Sequence, residues 1–314
     1  MTFLVTGCAG FIGSACTRAL AAQFPAAKLV GLDNLCAGKR SAVSEGVAFV
    51  EGSIEDEVLV ERVFAEHRPD YVLHFAALPR VAFSMRHPVE TTRVNILGTA
   101  ILLEAARKHG VKRFVFSSSS AVYGASAELP TQETAMRAPN SPYGAQKLAG
   151  EELCGVYARS LGLDTVCLRY FNVYGPGQRG TDPYSTVIAA WLESALVAGS
   201  RRAYLEGDGS QSRDFCFVED VVQANITAMM YPQPLQGIAL NIAGGKAVSL
   251  REIRALLEAS LHAPLDLEAR PARSGDVQHT LADTRLAYAV MGFRANTSLE
   301  EGIRQTVAWF QGVI

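Results

Sequence analysis

The sequence predicts an α/β protein: a Rossmann-type, doubly wound parallel sheet with a smaller C-terminal α/β lobe. Three observations predict it. Short apolar runs alternate with longer helical stretches from the first residue, a glycine-rich loop joins the first run to the first helix, and an acidic residue closes the second run. Runs with almost no internal polar residue suit strands buried on both faces, and their alternation with helices implies right-handed βαβ units.

Strands are expected at residues 3–6, 29–32, 48–50, 71–75, 114–117 and 165–168, with helices at 13–23, 58–66, 89–108 and 142–161. After about residue 170 the rhythm changes, and turn-rich segments at 174–182 and 206–212 interrupt shorter elements. Residues 1–174 therefore read as the nucleotide-binding domain and 175–314 mainly as the second lobe. A strand and helix near 215–242 are expected to return to the main sheet. No linker, low-complexity stretch or internal repeat separates the two parts.

The bulk composition narrows the function. The 314 residues are 49% hydrophobic and 19% charged, ample for a large core. The net charge of −2 comes from 29 basic and 31 acidic side chains, with no basic tract of nucleic-acid-binding length. An anionic ligand must then be held by a few placed arginines and helix N-termini. Six scattered cysteines form no C-x-x-C pair, which argues against disulfides and zinc and leaves no metal site expected. No apolar run approaches the ~20 residues that span a bilayer. The opening MTFLVTG reads as a strand entering a loop rather than a signal peptide, so a cytoplasmic protein is expected.

The loop TGCAGFIGS, residues 6–14, carries glycines at Gly7, Gly10 and Gly13. The first permits a tight turn, the second lets the backbone approach a pyrophosphate, and the third packs helix against strand. Asp33 follows Gly13 by 20 residues, where a carboxylate accepts hydrogen bonds from a ribose diol and repels a 2′-phosphate. NAD is favoured over NADP. The alternative is that Asp33 and Asn34 simply close a turn.

A second constellation carries chemistry. In Tyr143-Gly144-Ala145-Gln146-Lys147 a phenol and an amine lie four residues apart, on one face of a predicted helix. A neighbouring ammonium is expected to lower the phenol's pKa, as is a nearby nicotinamide cation, and so to make a base available near neutral pH. The strand at 114–117 runs into the hydroxyl-rich SSSSAVYG, residues 117–124, at the sheet end where ligands bind. A serine there can hydrogen-bond a sugar hydroxyl.

Together, TGCAGFIGS, LDNL, HFAAL, SSSSAVYG, SPYGAQK and LRYFNVYGPGQ resemble the extended short-chain dehydrogenase/reductases that act on nucleotide sugars. The similarity is greatest to the UDP-glucose/UDP-N-acetylglucosamine 4-epimerases and runs over essentially the whole chain. The resemblance implies a catalytic triad of Ser119, Tyr143 and Lys147, with Ser120 beside it. It also implies that Phe11, Ile12, Asn34, Ser53, Ile54, Phe75, Ala76, Ala77, Asn95, Ser117 and Tyr170 line the cofactor. Asn172, Arg213, Arg273 and Asp276 are implied at the UDP moiety, and Thr280 beside the hexose. A homodimer through a four-helix contact is implied as well.

The implied reaction is NAD-dependent inversion at C4 through a transient 4-keto sugar. Dehydratases of this superfamily carry an Asp-Glu pair after the catalytic serine or threonine, whereas this chain has Ser120 and Ala121. A small Thr280, where relatives vary between tyrosine and a small residue, leads to UDP-GlcNAc/UDP-GalNAc as first expectation, with UDP-Glc/UDP-Gal also open. Arg80 keeps a UDP-uronate as an alternative substrate. A protein that senses NAD without catalysis is the reading from a different class, and it has no need of the triad.

Overall fold

The computed structural model describes residues 1–125, 128–180, 186–197, 202–271 and 277–312. In chain order the first half comprises β1 (Thr2–Thr6), α1 (Phe11–Gln23), β2 (Lys28–Asp33), β3 (Ala48–Glu51), α2 (Glu57–His67), β4 (Tyr71–His74) and α3 (Val81–Arg86). It continues with α4 (Pro88–Thr92), α5 (Thr99–Lys108), β5 (Arg113–Ser119), α6 (Pro142–Ser160) and β6 (Thr165–Tyr170). There follow β7 (Val173–Tyr174), α7 (Val187–Leu196), β8 (Tyr204–Glu206), β9 (Ser212–Asp214), β10 (Cys216–Phe217) and α8 (Val218–Met230). The last are β11 (Ile238–Ile242), β12 (Ala247–Ser249), α9 (Leu250–Leu261), β13 (Glu268–Arg270), α10 (Arg285–Met291) and α11 (Leu299–Gly312).

The main sheet has seven parallel strands in the order β3-β2-β1-β4-β5-β6-β11. This is the doubly wound arrangement expected from the alternating pattern. Both faces are covered, which is why its strands carry so few polar residues. On one face Cys16 and Leu20 of α1 and Val221, Val222 and Met229 of α8 pack on Val5, Val115 and Leu168. On the other, Val60 and Phe64 of α2, Leu102 and Leu103 of α5 and Cys154 of α6 meet Leu4, Val72 and Phe116. Strand β11 pairs with β6, and α8 lies in the same core as α1.

The remaining C-terminal elements build a third core. Ile188 and Trp191 of α7, Ile253 and Leu257 of α9, and Ile303, Val307 and Phe310 of α11 close around Tyr174 and Phe217. Three two-stranded pairings, β7 with β10, β9 with β12 and β8 with β13, frame it.

Two elements depart from the sequence pattern. The helix expected over 89–108 is interrupted by a π-helical turn at Arg93–Gly98 between α4 and α5. Such turns redirect a side chain, here Asn95, and they recur at functional sites. Strand β6 runs past its apolar stretch through Arg169 and Tyr170. A charged residue inside a buried strand looks like a terminus, but Arg169 is paired there with Glu151 of α6.

Candidate active site

The sheet reverses its winding between β1 and β4, and open α/β sheets take ligands in the crevice beyond such a point. The glycine loop lies on that crevice. Gly7 adopts φ +72°, and a β-carbon there would come within 2.6 Å of the Ala76 nitrogen. A β-carbon on Gly13 would overlap the Gly7 carbonyl oxygen, so loop and helix can close only on glycine. No side chain caps α1 and no acidic residue enters its first turn. Its leading N–H groups, from Phe11 and Ile12, are thus offered to an anion.

Asp33 ends β2 with its carboxylate against this loop. Oδ2 accepts from the Ala9 N–H at 2.9 Å and Oδ1 from the Leu35 N–H at 2.8 Å. Each oxygen keeps lone-pair capacity for a ribose diol. These features fit a dinucleotide. Around them, the Asn34 Oδ1 accepts from Cys36 N–H at 3.1 Å, and Ser53 exchanges hydrogen bonds with Glu55 at 3.1 and 3.2 Å. Ile54 lies against Gly98, where a β-carbon would stand 2.6 Å from its Cγ1. After β4, Phe75 N–H donates to the Thr6 carbonyl at 3.1 Å and Ala76 N–H to Thr6 Oγ1 at 3.3 Å, with Ala77 half-buried beyond them.

Asn95 is consumed by structure. Its Oδ1 accepts from Leu78 N–H at 2.8 Å, and its Nδ2 donates to the Leu78 carbonyl at 3.1 Å and to Gln146 Oε1 at 2.8 Å. It therefore ties the loop after β4 to α6, and any influence on a nicotinamide passes through that loop.

Ser119, Tyr143 and Lys147 converge at the end of β5. The Ser119 hydroxyl stands by the Tyr143 phenol, where it favours the charged form, and accepts from the Ala121 N–H at 3.2 Å. Lys147 Nζ donates to the Ser117 carbonyl at 2.7 Å and lies 4.9 Å from the Phe116 ring centre and 5.9 Å from that of Tyr143. Helix α6 is set by Ser141, whose hydroxyl accepts from Gly144 N–H at 3.1 Å, with Pro142 in its first turn. The Ser117 hydroxyl pairs with Tyr170 Oη at 3.2 Å, and Tyr170 donates to Asn225 Oδ1 at 2.9 Å. Ser120, half-buried, opens a 3₁₀ turn over Ser120–Tyr123.

One electrostatic expectation is corrected here. The lysine does not bring the phenol down: burial pushes Tyr143 up to about 12, opposed only by the hydrogen bond from Ser119. Burial in turn presses Lys147 down to about 8. Without a further positive charge the phenol is protonated at neutral pH.

On the far side of the crevice, Asn172 follows β6 with φ +23°, an uncommon conformation for a residue with a side chain, and its Nδ2 donates to the Asp214 carbonyl at 3.0 Å. Thr280 Oγ1 accepts from the Asp214 N–H at 3.2 Å. Arg213, on β9, donates to the carbonyls of Ser212 at 2.9 Å and Gln278 at 3.2 Å. Asn172, Arg213 and Thr280 thus gather around one strand. Arg273 and Asp276 lie outside the described residues.

Sequence reading passed over three buried groups that hold this arrangement. Asp214, fully buried, accepts backbone N–H groups of Gly245 at 3.0 Å and Ala282 at 3.0 Å, and burial raises it to about 6. His74 bridges Thr6 Oγ1 at 2.8 Å and Thr99 Oγ1 at 2.9 Å, and burial drives it down to about 3. Arg169 meets Glu151 through two bonds, at 2.8 and 2.7 Å. The available signal was a charge or imidazole inside an apolar run, which demands a partner.

Comparison with known proteins agrees with this architecture. A family model described as "NAD dependent epimerase/dehydratase family" matches residues 3–243. A UDP-glucose 4-epimerase of Halalkalibacterium halodurans is 36% identical over 321 residues, covering 98% of this chain and 95% of the relative. Among solved structures, the UDP-glucose 4-epimerase of Thermotoga maritima with UDP-glucose superposes with a TM-score of 0.94 at 37% identity, covering 100% and 99% of the two chains. The UDP-N-acetylglucosamine 4-epimerase of Methanobrevibacter ruminantium M1, in complex with UDP-N-acetylmuramic acid, gives 0.92 at 33% identity, covering 100% and 99%. With motifs, sheet order and these matches in agreement, the chain belongs to the NAD dependent epimerase/dehydratase family.

Proposed function

We propose that this chain inverts the C4 configuration of a UDP-hexose, with NAD held in the glycine-loop crevice. The observation that carries the reading is the convergence of Ser119, Tyr143 and Lys147 at the strand end next to that crevice, with Lys147 fixed on the Ser117 carbonyl at 2.7 Å and 5.9 Å from the Tyr143 ring centre. Residues of the glycine loop and Asp33 would hold the cofactor, which when bound accepts and returns the C4 hydrogen and brings a positively charged ring. Tyr143 takes the proton of the 4-hydroxyl and later gives it back, and Ser119 orients that hydroxyl through its bond to the phenol. Lys147, anchored on the Ser117 carbonyl at 2.7 Å, holds its ammonium 5.9 Å from the Tyr143 ring centre, at the edge of the cofactor crevice. Ser120 and Ala121, the two positions after Ser119, carry no carboxylate, so neither can act as the acid or base for expelling water.

The hexose we favour is N-acetylated. Thr280 is small and its hydroxyl is engaged with the Asp214 backbone, which leaves room for a 2-acetamido group. Plain UDP-glucose is the second reading, favoured by the names of the Halalkalibacterium and Thermotoga relatives. Incubation with UDP-GlcNAc, UDP-glucose and UDP-glucuronate, followed by separation of the UDP-sugars, tests both. Formation of UDP-GalNAc with the highest kcat/KM supports the first, whereas preference for UDP-glucose supports the second and absence of all turnover refutes the epimerase. We further propose a homodimer built on the α4–α5 and α6 helices. Val89, Leu97, Val156 and Leu161 are exposed on that surface, and sedimentation at the monomer mass would refute it. Among the described residues no helix is long and apolar enough to cross a membrane.

A further inference from the structure

Lys147 is buried to 4% exposure and donates to a backbone carbonyl, which carries no formal charge. An ammonium in such a place needs a counterion. The groups acting on it from each packed element can be named. On α6 they are Tyr143, Glu151 and Cys154; on β5 the Phe116 ring and the Ser117 carbonyl; on β6 Cys167; on β4 His74. Burial shifts Tyr143 and His74 towards their neutral forms, and the hydrogen bond with Cys154, followed by burial, does the same for Cys167. Glu151 is the one carboxylate in this set, one helical turn beyond Lys147 and on the same face.

Glu151 is also the centre of a buried structure. It is 5% exposed, and its two oxygens receive Nε and Nη2 of Arg169 at 2.8 and 2.7 Å. The Ser118 hydroxyl donates to the same carboxylate. Ser118 sits between Ser117, whose carbonyl holds Lys147, and Ser119, whose hydroxyl holds Tyr143. The remaining nitrogen of Arg169, Nη1, donates to Tyr123 Oη at 2.7 Å and to the Glu133 carbonyl at 3.0 Å.

We propose that Glu151 is a positioning residue of the reaction centre: clamped by Arg169 and Ser118, its carboxylate registers the strand end bearing Ser117 and Ser119 and supplies the countercharge that keeps the Lys147 ammonium protonated. The inference rests on the assignment of Lys147 to an epimerase site. The Lys147 position near 8 leaves little margin above neutral pH, so losing one negative charge matters.

The test uses a readout that does not require turnover. Protein labelled with ¹³C at lysine Cε is titrated by NMR, with the Lys147 signal assigned by its loss in Lys147→Met. Glu151→Gln should lower the Lys147 midpoint by about one pH unit, and Glu151→Asp, which keeps the charge, should restore it. If Glu151→Gln strands the guanidinium and fails to fold, Glu151→Gln/Arg169→Met is read instead, and its midpoint should fall as well. The alkaline limb of kcat should move with the midpoint. An unchanged midpoint in the charge-removed variants overturns the proposal even if the wild type is an active epimerase. A shifted midpoint in a protein without epimerase activity would sustain the electrostatic role and refute the function instead.

Discussion

Replacing Tyr143 by phenylalanine separates chemistry from folding at the centre of the site. The ring is 9% exposed and its packing survives the change. The Ser119 oxygen keeps the Ala121 N–H at 3.2 Å, and because Ser119 is only half-buried its freed O–H can turn to water. The stability cost is that of one net hydrogen bond, about 1 kcal/mol. The catalytic cost is larger. With the phenol near 12, only about one molecule in 10⁵ carries phenolate at pH 7 without further positive charge, and phenylalanine cannot carry it at all. Loss of a positioned acid–base group removes roughly 10²–10⁴ in rate, or about 3–5 kcal/mol of barrier. The assay compares kcat on the best UDP-hexose, NAD content after denaturation, and the thermal midpoint. At least a hundredfold loss with NAD retained and a small change in melting is expected. A variant within tenfold of the wild-type rate, or one that loses NAD together with activity, would refute the role assigned to the phenol.

The other predictions address the supports of the site. Gly13→Ala forces a methyl onto the Gly7 backbone, so NAD content should collapse and stability fall by about 1–3 kcal/mol; full NAD retention in equilibrium dialysis would show that the loop opens freely. His74 is held neutral, with its native pKa near 3 against 6.5 when unfolded, so its contribution is intact above pH 6.5 and is lost as the pH falls towards 3. Urea unfolding should reveal a loss of about 2 kcal/mol between pH 6.5 and 5 that is missing in His74→Asn, and parallel pH profiles would contradict it. Thr280→Tyr should depress kcat/KM for UDP-GlcNAc at least tenfold more than for UDP-glucose; equal losses would argue against a gate at this position.

What could be read from the chain alone divides along the range of the interactions. Strands β1 to β6 and the Gly7–Gly13 loop were legible because their signals are local: apolar runs, glycines at fixed spacing, and an acidic residue closing β2. Tyr143 and Lys147 were legible because one helical turn relates them, and the structure sets both against β5. The buried charges were not. Arg169 is compatible with a central strand only because Glu151, 18 positions earlier on another element, meets it inside the protein. Asp214 is a fully buried carboxylate because backbone N–H groups from Gly245 and Ala282 fold back onto it. The π-helical turn that aims Asn95 at Leu78 likewise has no local mark in an otherwise regular helical pattern. The phenol–lysine electrostatics were misjudged for the same reason: spacing reveals proximity, while burial decides protonation.

Central to the account is that hydrogen leaves and returns at one carbon of the sugar without passing through water. A UDP-hexose carrying deuterium at C4, incubated with the NAD-loaded protein in ordinary water, measures this directly. Inverted product that keeps its deuterium is the predicted result. Inverted product in which solvent protons have replaced the label at C4, or a sugar whose C4 configuration never changes, would contradict it.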